Sequence, residues 1–380
     1  MSESQQPDWN PLDPLILEDQ RGAYDDMRER CPVAHSEFMG WSVFRHEHIA
    51  AVLDDPETYS NASRFLAIPN GMDPPVHGRY RGALDAFFDQ EQMAGIAPRA
   101  REIAANLLVP LLAGKEGEFI EAFARPFAFR TMCALLGWPE RLWECLGGWA
   151  HDSQQAAINR TPGVGKALAS LFAEHVKANL AVHRASPSGA DDATDALMKV
   201  EVDGVPLDDD QIVAVLRNWA AGHGTVVAGL GNLILHLAQE PELQARLRRD
   251  PSLIPASIEE ILRRDGPLVA NPRTTTREVR IGERTIPKGG KLALMWVAAN
   301  RDPRAFEDPD TVRIERNAET GMVWGRGIHV CQGAPLARLE MRIALEALLA
   351  RTTHFEFAGD APRRAVYPVN APATLPLRLR

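Results

Sequence analysis

Apolar residues recur at three- and four-residue spacing through five long segments, Ile103–Leu112, Phe119–Leu136, Leu168–Leu180, Ile212–Leu237 and Leu336–Leu349. A run with that period buries one face of a helix, so the chain is predicted to be mainly α. Short β-type stretches at Trp41–Phe44, Val279–Ile281 and Lys291–Leu294, each near Gly or Pro, and a fourth at His354–Phe357, predict a minor β region beside the helices. The most linker-like stretch, Ala185–Thr194, is rich in Ser, Pro, Gly and Asp, yet a helix-bearing segment follows it with no shift in composition. It is predicted to be a loop. At 380 residues the length alone fits either two ordinary domains or one large fold.

A net charge of −9 argues against a chain that wraps nucleic acid or lies on anionic lipid. The amino terminus, MSESQQPDWNPLDP, has no basic segment followed by an apolar one, so it does not read as a secretory signal. The most apolar long stretch, Val226 to Ala238, is interrupted by Asn232 and His236 and falls short of the ~20 apolar residues that a bilayer helix needs. A soluble, cytoplasmic protein with a small-molecule or protein partner, and neither nucleic acid nor membrane, is expected. Cys31, Cys133, Cys145 and Cys331 are scattered, which disfavours a disulfide framework or a Cys-x-x-Cys metal site. Three of them read as small buried hydrophobes.

Cys331 differs. It lies in Trp324-Gly325-Arg326-Gly327-Ile328-His329-Val330-Cys331-Gln332-Gly333-Ala334-Pro335, a glycine-studded loop running into an amphipathic helix. Unpaired N–H groups and the macrodipole at a helix start favour a thiolate, and Gly325, Gly327 and Gly333 permit close approach of a flat ligand. Thiolate is a soft axial ligand for haem iron. The segment closely resembles the haem-binding signature of the cytochrome P450 family, usually written F-G-x-G-x-H-x-C-x-G. Other features follow in that family's order. Glu260-Ile261-Leu262-Arg263 is similar to its Glu-x-x-Arg motif, whose two charges share a helical face. Ala299-Asn300-Arg301-Asp302-Pro303 and Phe306-Glu307-Asp308-Pro309-Asp310 resemble the segments before its meander, where Arg316 completes a salt-bridge cluster. Asp73-Pro74-Pro75-Val76-His77-Gly78-Arg79-Tyr80-Arg81 resembles the start of its third helix. The resemblance implies haem as cofactor, Cys331 as its iron ligand, and His77, Arg81, Arg273 and His329 as donors to its propionates. It also implies haem contacts from Ala221, Gly222, Trp324, Gly325 and Gly333, and one P450-like domain over residues 1–380, triangular and mostly helical with a small β side, of the soluble bacterial type.

Ala221-Gly222-His223-Gly224-Thr225 resembles the family's Ala-Gly-x-(Asp/Glu)-Thr motif. A glycine within a helix costs ~1 kcal/mol against alanine, and room for dioxygen gives it a reason to be there. Thr225 is implied to organise oxygen and protons. The acid expected before it is absent, because position 224 is glycine. A positioned acid or base contributes ~10²–10⁴ in rate. A water chain through the space at Gly224, His223 as a relay, peroxide as the oxidant, or chemistry that needs no acid, such as nitric oxide reduction, are the alternatives. The catalytic set is then Thr225, Gly224 and His223.

Arg217, eight residues before Thr225, lies on about the same helical face. It is expected either to hold a carboxylate substrate or to pair with Asp208, Asp209 or Asp210. Phe65, Val269, Asn271 and Asn370 fall where the family lines its pocket, which suggests a small apolar or aromatic substrate. Arg79, Arg326 and Arg338 are expected to form a basic patch near the proximal haem face for an acidic ferredoxin or a flavodoxin, supplied by its reductase. The resemblance thus implies a monooxygenase that uses dioxygen for hydroxylation or O-dealkylation. The alternatives are a peroxide-driven oxygenase or nitric oxide reductase on the same fold, and a non-catalytic haem-binding sensor.

Overall fold

The computed structural model describes residues 7–159, 161–185, 192–359 and 369–380, so residues 186–191 of the expected loop Ala185–Thr194 lie outside it. Five helices position the site: α1 (Val76–Leu84), α2 (Trp143–Asn159), α3 (Asp209–Gln239), α4 (Ile254–Arg264) and α5 (Ala334–Arg351). Each of the five segments with helical periodicity lies in helix; the segment from Phe119 begins with one π-helical turn, Ile120–Ala124. The 31-residue α3 is the longest helix described. Asp208 caps it by accepting from the Gln211 N–H while the Gln211 side chain accepts from the Asp208 N–H, so the register is set at the first turn. From Val226 to Ala238 every residue of α3 is buried, which requires neighbours on all sides. Those neighbours include α2, α4, α5 and the helices Arg125–Leu135 and Val164–Ala185. They share a hydrophobic core that runs in sequence from Ile68 to Leu379.

The β region is a five-stranded sheet built from β1 (Val33–Ser36), β2 (Gly40–Val43), β3 (Tyr59–Ser60), β4 (Ala270–Thr275) and β5 (Lys291–Met295), in the order β1-β2-β5-β4-β3. Only the β2–β5 pair is parallel. Arg273 of β4 pairs in register with Leu292 of β5, and the two-residue alternation turns Asn271 and Arg273 to one face. A three-stranded sheet joins Phe355–Phe357, Pro376–Leu379 and Glu116–Glu118. The expected strands at residues 41–44, 279–281, 291–294 and 354–357 are all present to within a residue. No helix among the described residues is long and apolar enough to cross a membrane.

One buried ion cluster ties helices to loops. Glu260 on α4 accepts from Arg263 Nε at 2.8 Å and Nη2 at 3.0 Å, from Arg316 Nε at 2.9 Å and from the Arg313 N–H at 3.0 Å. Arg263 donates onward to the carbonyls of Asn300 and Pro309, and its guanidinium lies over the Phe306 ring. Burial pushes the Glu260 carboxyl up, but the hydrogen bonds from Arg263, the Arg313 N–H and Arg316 outweigh it and hold the group below its usual value. A carboxylate with a lowered folded-state pKa stabilises the fold above its unfolded value and loses that contribution as pH falls through the folded one. Removing one member of such a buried pair costs about 3–5 kcal/mol. Glu260→Gln is therefore expected to lower unfolding stability by that order at neutral pH and to flatten its decline on acidification, as denaturant melts across pH will show.

Candidate active site

The loop before α5 is shaped by two glycines with positive φ, Gly325 at +73° and Gly327 at +69°. At Gly327 a Cβ would sit 2.6 Å from the Leu53 carbonyl oxygen, so only glycine lets these backbones meet. The loop closes where the Cys331 N–H donates to the Trp324 carbonyl at 2.7 Å. Outside it, Glu259 of α4 accepts from Trp324 Nε1 at 2.8 Å and from Arg338 Nε of α5 at 2.7 Å, with the Arg338 guanidinium 4.7 Å from the centroid of the Trp324 ring. Glu259 thus fastens both arms of the loop to α4, one residue from the Glu260 cluster. Burial pushes the Cys331 thiol up, opposed by the N–H groups of Gly333 and Ala334 and by Arg81 and Arg338. The expected pull toward thiolate is present but does not prevail in the protein alone.

Cys331 opens onto a cavity of 350 Å³ bounded by α3, β4 and the loop, with Gly222, Thr225, Arg273, His329 and Gly333 also on its wall. A Cβ at Gly222 or Gly333 would meet nothing within 4 Å, so both positions leave room for a flat group. Arg273 Nη1 donates to Asn61 Oδ1 and to its own neighbour's carbonyl at Pro272, and no carboxylate lies within 4 Å of it among the described residues. Burial lowers its pKa to about 10. The His77 and His329 rings lie 4.3 Å apart, and His77 Nε2 and both His329 nitrogens are buried without a partner among the described residues. Burial pushes His329 down to about 4 and lowers His77 as well. Arg81 donates to the Val330 carbonyl at 2.7 Å and to Asp85 at 2.6 Å. Unpartnered donors around a thiol and a glycine-lined slot fit haem, whose two carboxylates would satisfy them.

On α3, Ala221, Gly222, His223 and Thr225 line the cavity. Thr225 Oγ1 donates to the Gly222 carbonyl at 2.6 Å, a back-bond within the helix. The space expected at Gly224 is already taken: a Cβ there would lie 2.7 Å from Gln154 Nε2, reaching over from α2. His223 is buried, its Nδ1 3.0 Å from the Trp219 carbonyl, and its Nε2 lies 3.8 Å from Glu340 Oε1. That contact leaves Nδ1 as the donor and Nε2 as an acceptor. Burial pushes His223 down to about 4 and the wholly buried Glu340 carboxyl well above its usual range, so the charged form of each is disfavoured.

The substrate expectations need correction. Phe65 is 78% exposed, Val269 packs in the small core around Trp9 and Tyr24, and the Asn370 amide is spent on the Gly266 carbonyl. Of the positions expected on the wall, Asn271 is there, its Oδ1 accepting from Trp296 Nε1 at 2.7 Å. Arg217 is half-buried and donates to the Leu66 carbonyl instead of any acid. Asp208 caps α3, while Asp209 and Asp210 pair with Arg184 and Lys177. The expected basic patch is largely neutralised: Arg338 pairs with Glu259, Arg326 with Asp54 and Arg79 with Asp203. Sequence reasoning missed Glu259, Glu340 and Gln154. Glu340 was signalled by its place one turn from Leu336 and from Ala344 on the buried face of α5.

The profile of the family described as Cytochrome P450 matches residues 164–365. The chain is 33% identical over 362 residues to the cyclomarin C epoxidase of Salinispora arenicola, covering 88% of this chain and 89% of that protein. It is 33% identical over 346 residues to the erythromycin C-12 hydroxylase of Saccharopolyspora erythraea, covering 86% and 85%. Among solved structures, a mutant of P450 EryK in complex with erythromycin B superposes with a TM-score of 0.88 at 29% identity, over 96% of this chain and 97% of that one.

Charged hydrogen bonds of the kind Arg273 offers are worth about 1.5–3 kcal/mol, a factor of roughly 10 to 10² in an equilibrium constant. Arg273→Leu is expected to shorten haem retention by that factor, read as the rate of transfer to a competing apoglobin.

Proposed function

The chain belongs to the cytochrome P450 family of haem-dependent monooxygenases, and we propose that it inserts one atom of dioxygen into a small organic substrate by hydroxylation or O-dealkylation. The observation that carries this reading is the convergence of the Cys331 thiol, His329, Arg273 and Thr225 on one cavity, with His77 against His329 and three of their ring nitrogens buried without a partner among the described residues. Haem, when bound, supplies the iron centre at which dioxygen takes up two electrons and its O–O bond is cleaved. Cys331 is the proposed iron ligand. Arg273, Arg81, His77 and His329 position the propionates; Gly222, Ala221, Trp324, Gly325 and Gly333 shape the slot. Thr225, whose hydroxyl already turns on the α3 backbone, holds a proton at the cavity wall. His223 and Glu340, 3.8 Å apart, add two further polar side chains to the same cavity wall. A single domain throughout is supported by a core that joins residues from Ile68 to Leu379.

The cavity wall is apolar at Leu53, Phe88, Val226 and Leu268, with amides at Asn70 and Asn271. That lining favours a neutral, mostly hydrophobic or aromatic substrate with a polar group at one edge. Arg217 does not face the cavity, so no buried carboxylate anchor is part of the proposal. Electrons come one at a time from a ferredoxin or flavodoxin with its reductase. Because the arginines on that side are ion-paired, docking is expected to depend only weakly on ionic strength.

The test is turnover under ¹⁸O-labelled dioxygen with a surrogate donor, which should place one labelled atom in the product. Unlabelled product, or turnover without dioxygen and reductant, would overturn it. Thr225→Ala is expected to divert most reducing equivalents from product to peroxide at an unchanged haem content. A peroxide-driven oxygenase is the second reading, favoured by Gly224, and predicts that hydrogen peroxide alone supports faster turnover than the donor system.

A further inference from the structure

We propose that Gln154 is the positioning residue that stands in for the missing acid, its amide holding the water through which protons pass from solvent to the Thr225 side of the cavity. The inference rests on the monooxygenase reading and deepens it. Position 224, immediately before Thr225, carries no side chain, yet the space is not free: a Cβ there would lie 2.7 Å from Gln154 Nε2 and 3.6 Å from its Cδ. Those are the only atoms it would meet within 4 Å apart from the helix itself. A side chain that position 224 lacks on α3 is thus supplied at the same spot from α2. Gln154 is half-buried, with its α2 neighbours His151, Asp152 and Gln155 exposed, so its amide stands between solvent and α3. The amide makes no side-chain hydrogen bond among the described residues, which leaves both its N–H₂ and its carbonyl free for water. The next residue along α3, Thr225, lines the cavity.

An amide has no proton to give at ordinary pH, so Gln154 cannot act as the acid; it can orient a water that does. The overall step balances as substrate C–H plus O₂, two electrons and two protons giving C–OH and water. The electrons come from the one-electron protein donor, both protons come from solvent water, and Gln154 is unchanged. Hydrogen peroxide already carries the two electrons and two protons, so turnover driven by it bypasses the residue.

The experiment compares donor-driven and peroxide-driven product formation in the haem-loaded protein. Gln154→Leu is expected to lower the donor-driven rate by roughly 10²-fold, the low end of what a positioned proton-transfer group contributes, with the lost equivalents released as peroxide and the peroxide-driven rate unchanged. Gly224→Ala, whose Cβ must push the amide aside, should reproduce that split in a protein that folds normally, while Gln154→Glu should keep or raise the coupling. Independently of turnover, a crystal structure of the ferric protein should show an ordered water on the Gln154 amide that is gone in Gln154→Leu. Equal loss with both oxidants, no loss in Gln154→Leu, or an amide turned away with no such water would overturn the proposal. Failure of the wild-type protein with both oxidants would instead overturn the monooxygenase reading on which it rests.

Discussion

Glu260 is a carboxylate almost wholly removed from water, and the parts of the chain that present Cys331 are fastened to it or to its neighbour Glu259. A buried ion pair returns little net stability against an apolar replacement, because desolvation offsets most of the attraction. What it gives is geometry. Two guanidiniums and a backbone N–H can satisfy both oxygens of Glu260 in only one arrangement of α4, residues 300–316 and the loop beyond. Glu259 adds the second fixture, gripping Trp324 at the start of the cysteine loop and Arg338 on the helix after it. Cys331 is thereby suspended between two clamped ends, over the central helix α3.

The cavity chemistry follows from what those clamps leave unsatisfied. Three imidazole nitrogens of His77 and His329 are buried without a partner among the described residues, and the Arg273 guanidinium on β4 meets only amide and carbonyl oxygens. Such groups are costly in a protein interior, and their convergence on one wall is the signature of a ligand bearing negative charge. The thiol shows the complementary logic. Burial pushes its pKa up, while the N–H groups of the α5 start and two arginines pull the other way. On the opposite side the polar groups come from three elements: Thr225 and His223 on α3 and Glu340 on α5 line the cavity, and Gln154 on α2 packs against Gly224.

Local pattern made much of this legible. The cysteine loop, the Glu-x-x-Arg pair and the Gly222–Thr225 turn are contiguous, and each keeps its meaning because the chemistry needs those residues within a few positions of one another. The strand carrying Arg273 was harder to read: Pro272 within it argues against a strand, yet β4 tolerates it between β5 and the short edge strand β3. Gln154 and Glu259 were illegible because their roles exist only across helix contacts far apart in sequence. Phe65, Val269, Asn370 and Arg217 show the reverse, since a residue's position along the chain does not fix which way its side chain turns, whether in a loop or, for Arg217, on α3.

The most direct test of the account is the absorption spectrum of the ferrous carbon monoxide adduct. Thiolate ligation by Cys331 predicts the long-wavelength Soret band of a haem-thiolate protein, replaced in Cys331→His by the shorter-wavelength band of nitrogen-ligated haem. A folded, haem-loaded wild-type protein that lacks the long-wavelength band, or a Cys331→His protein that keeps it, would contradict the account at its centre.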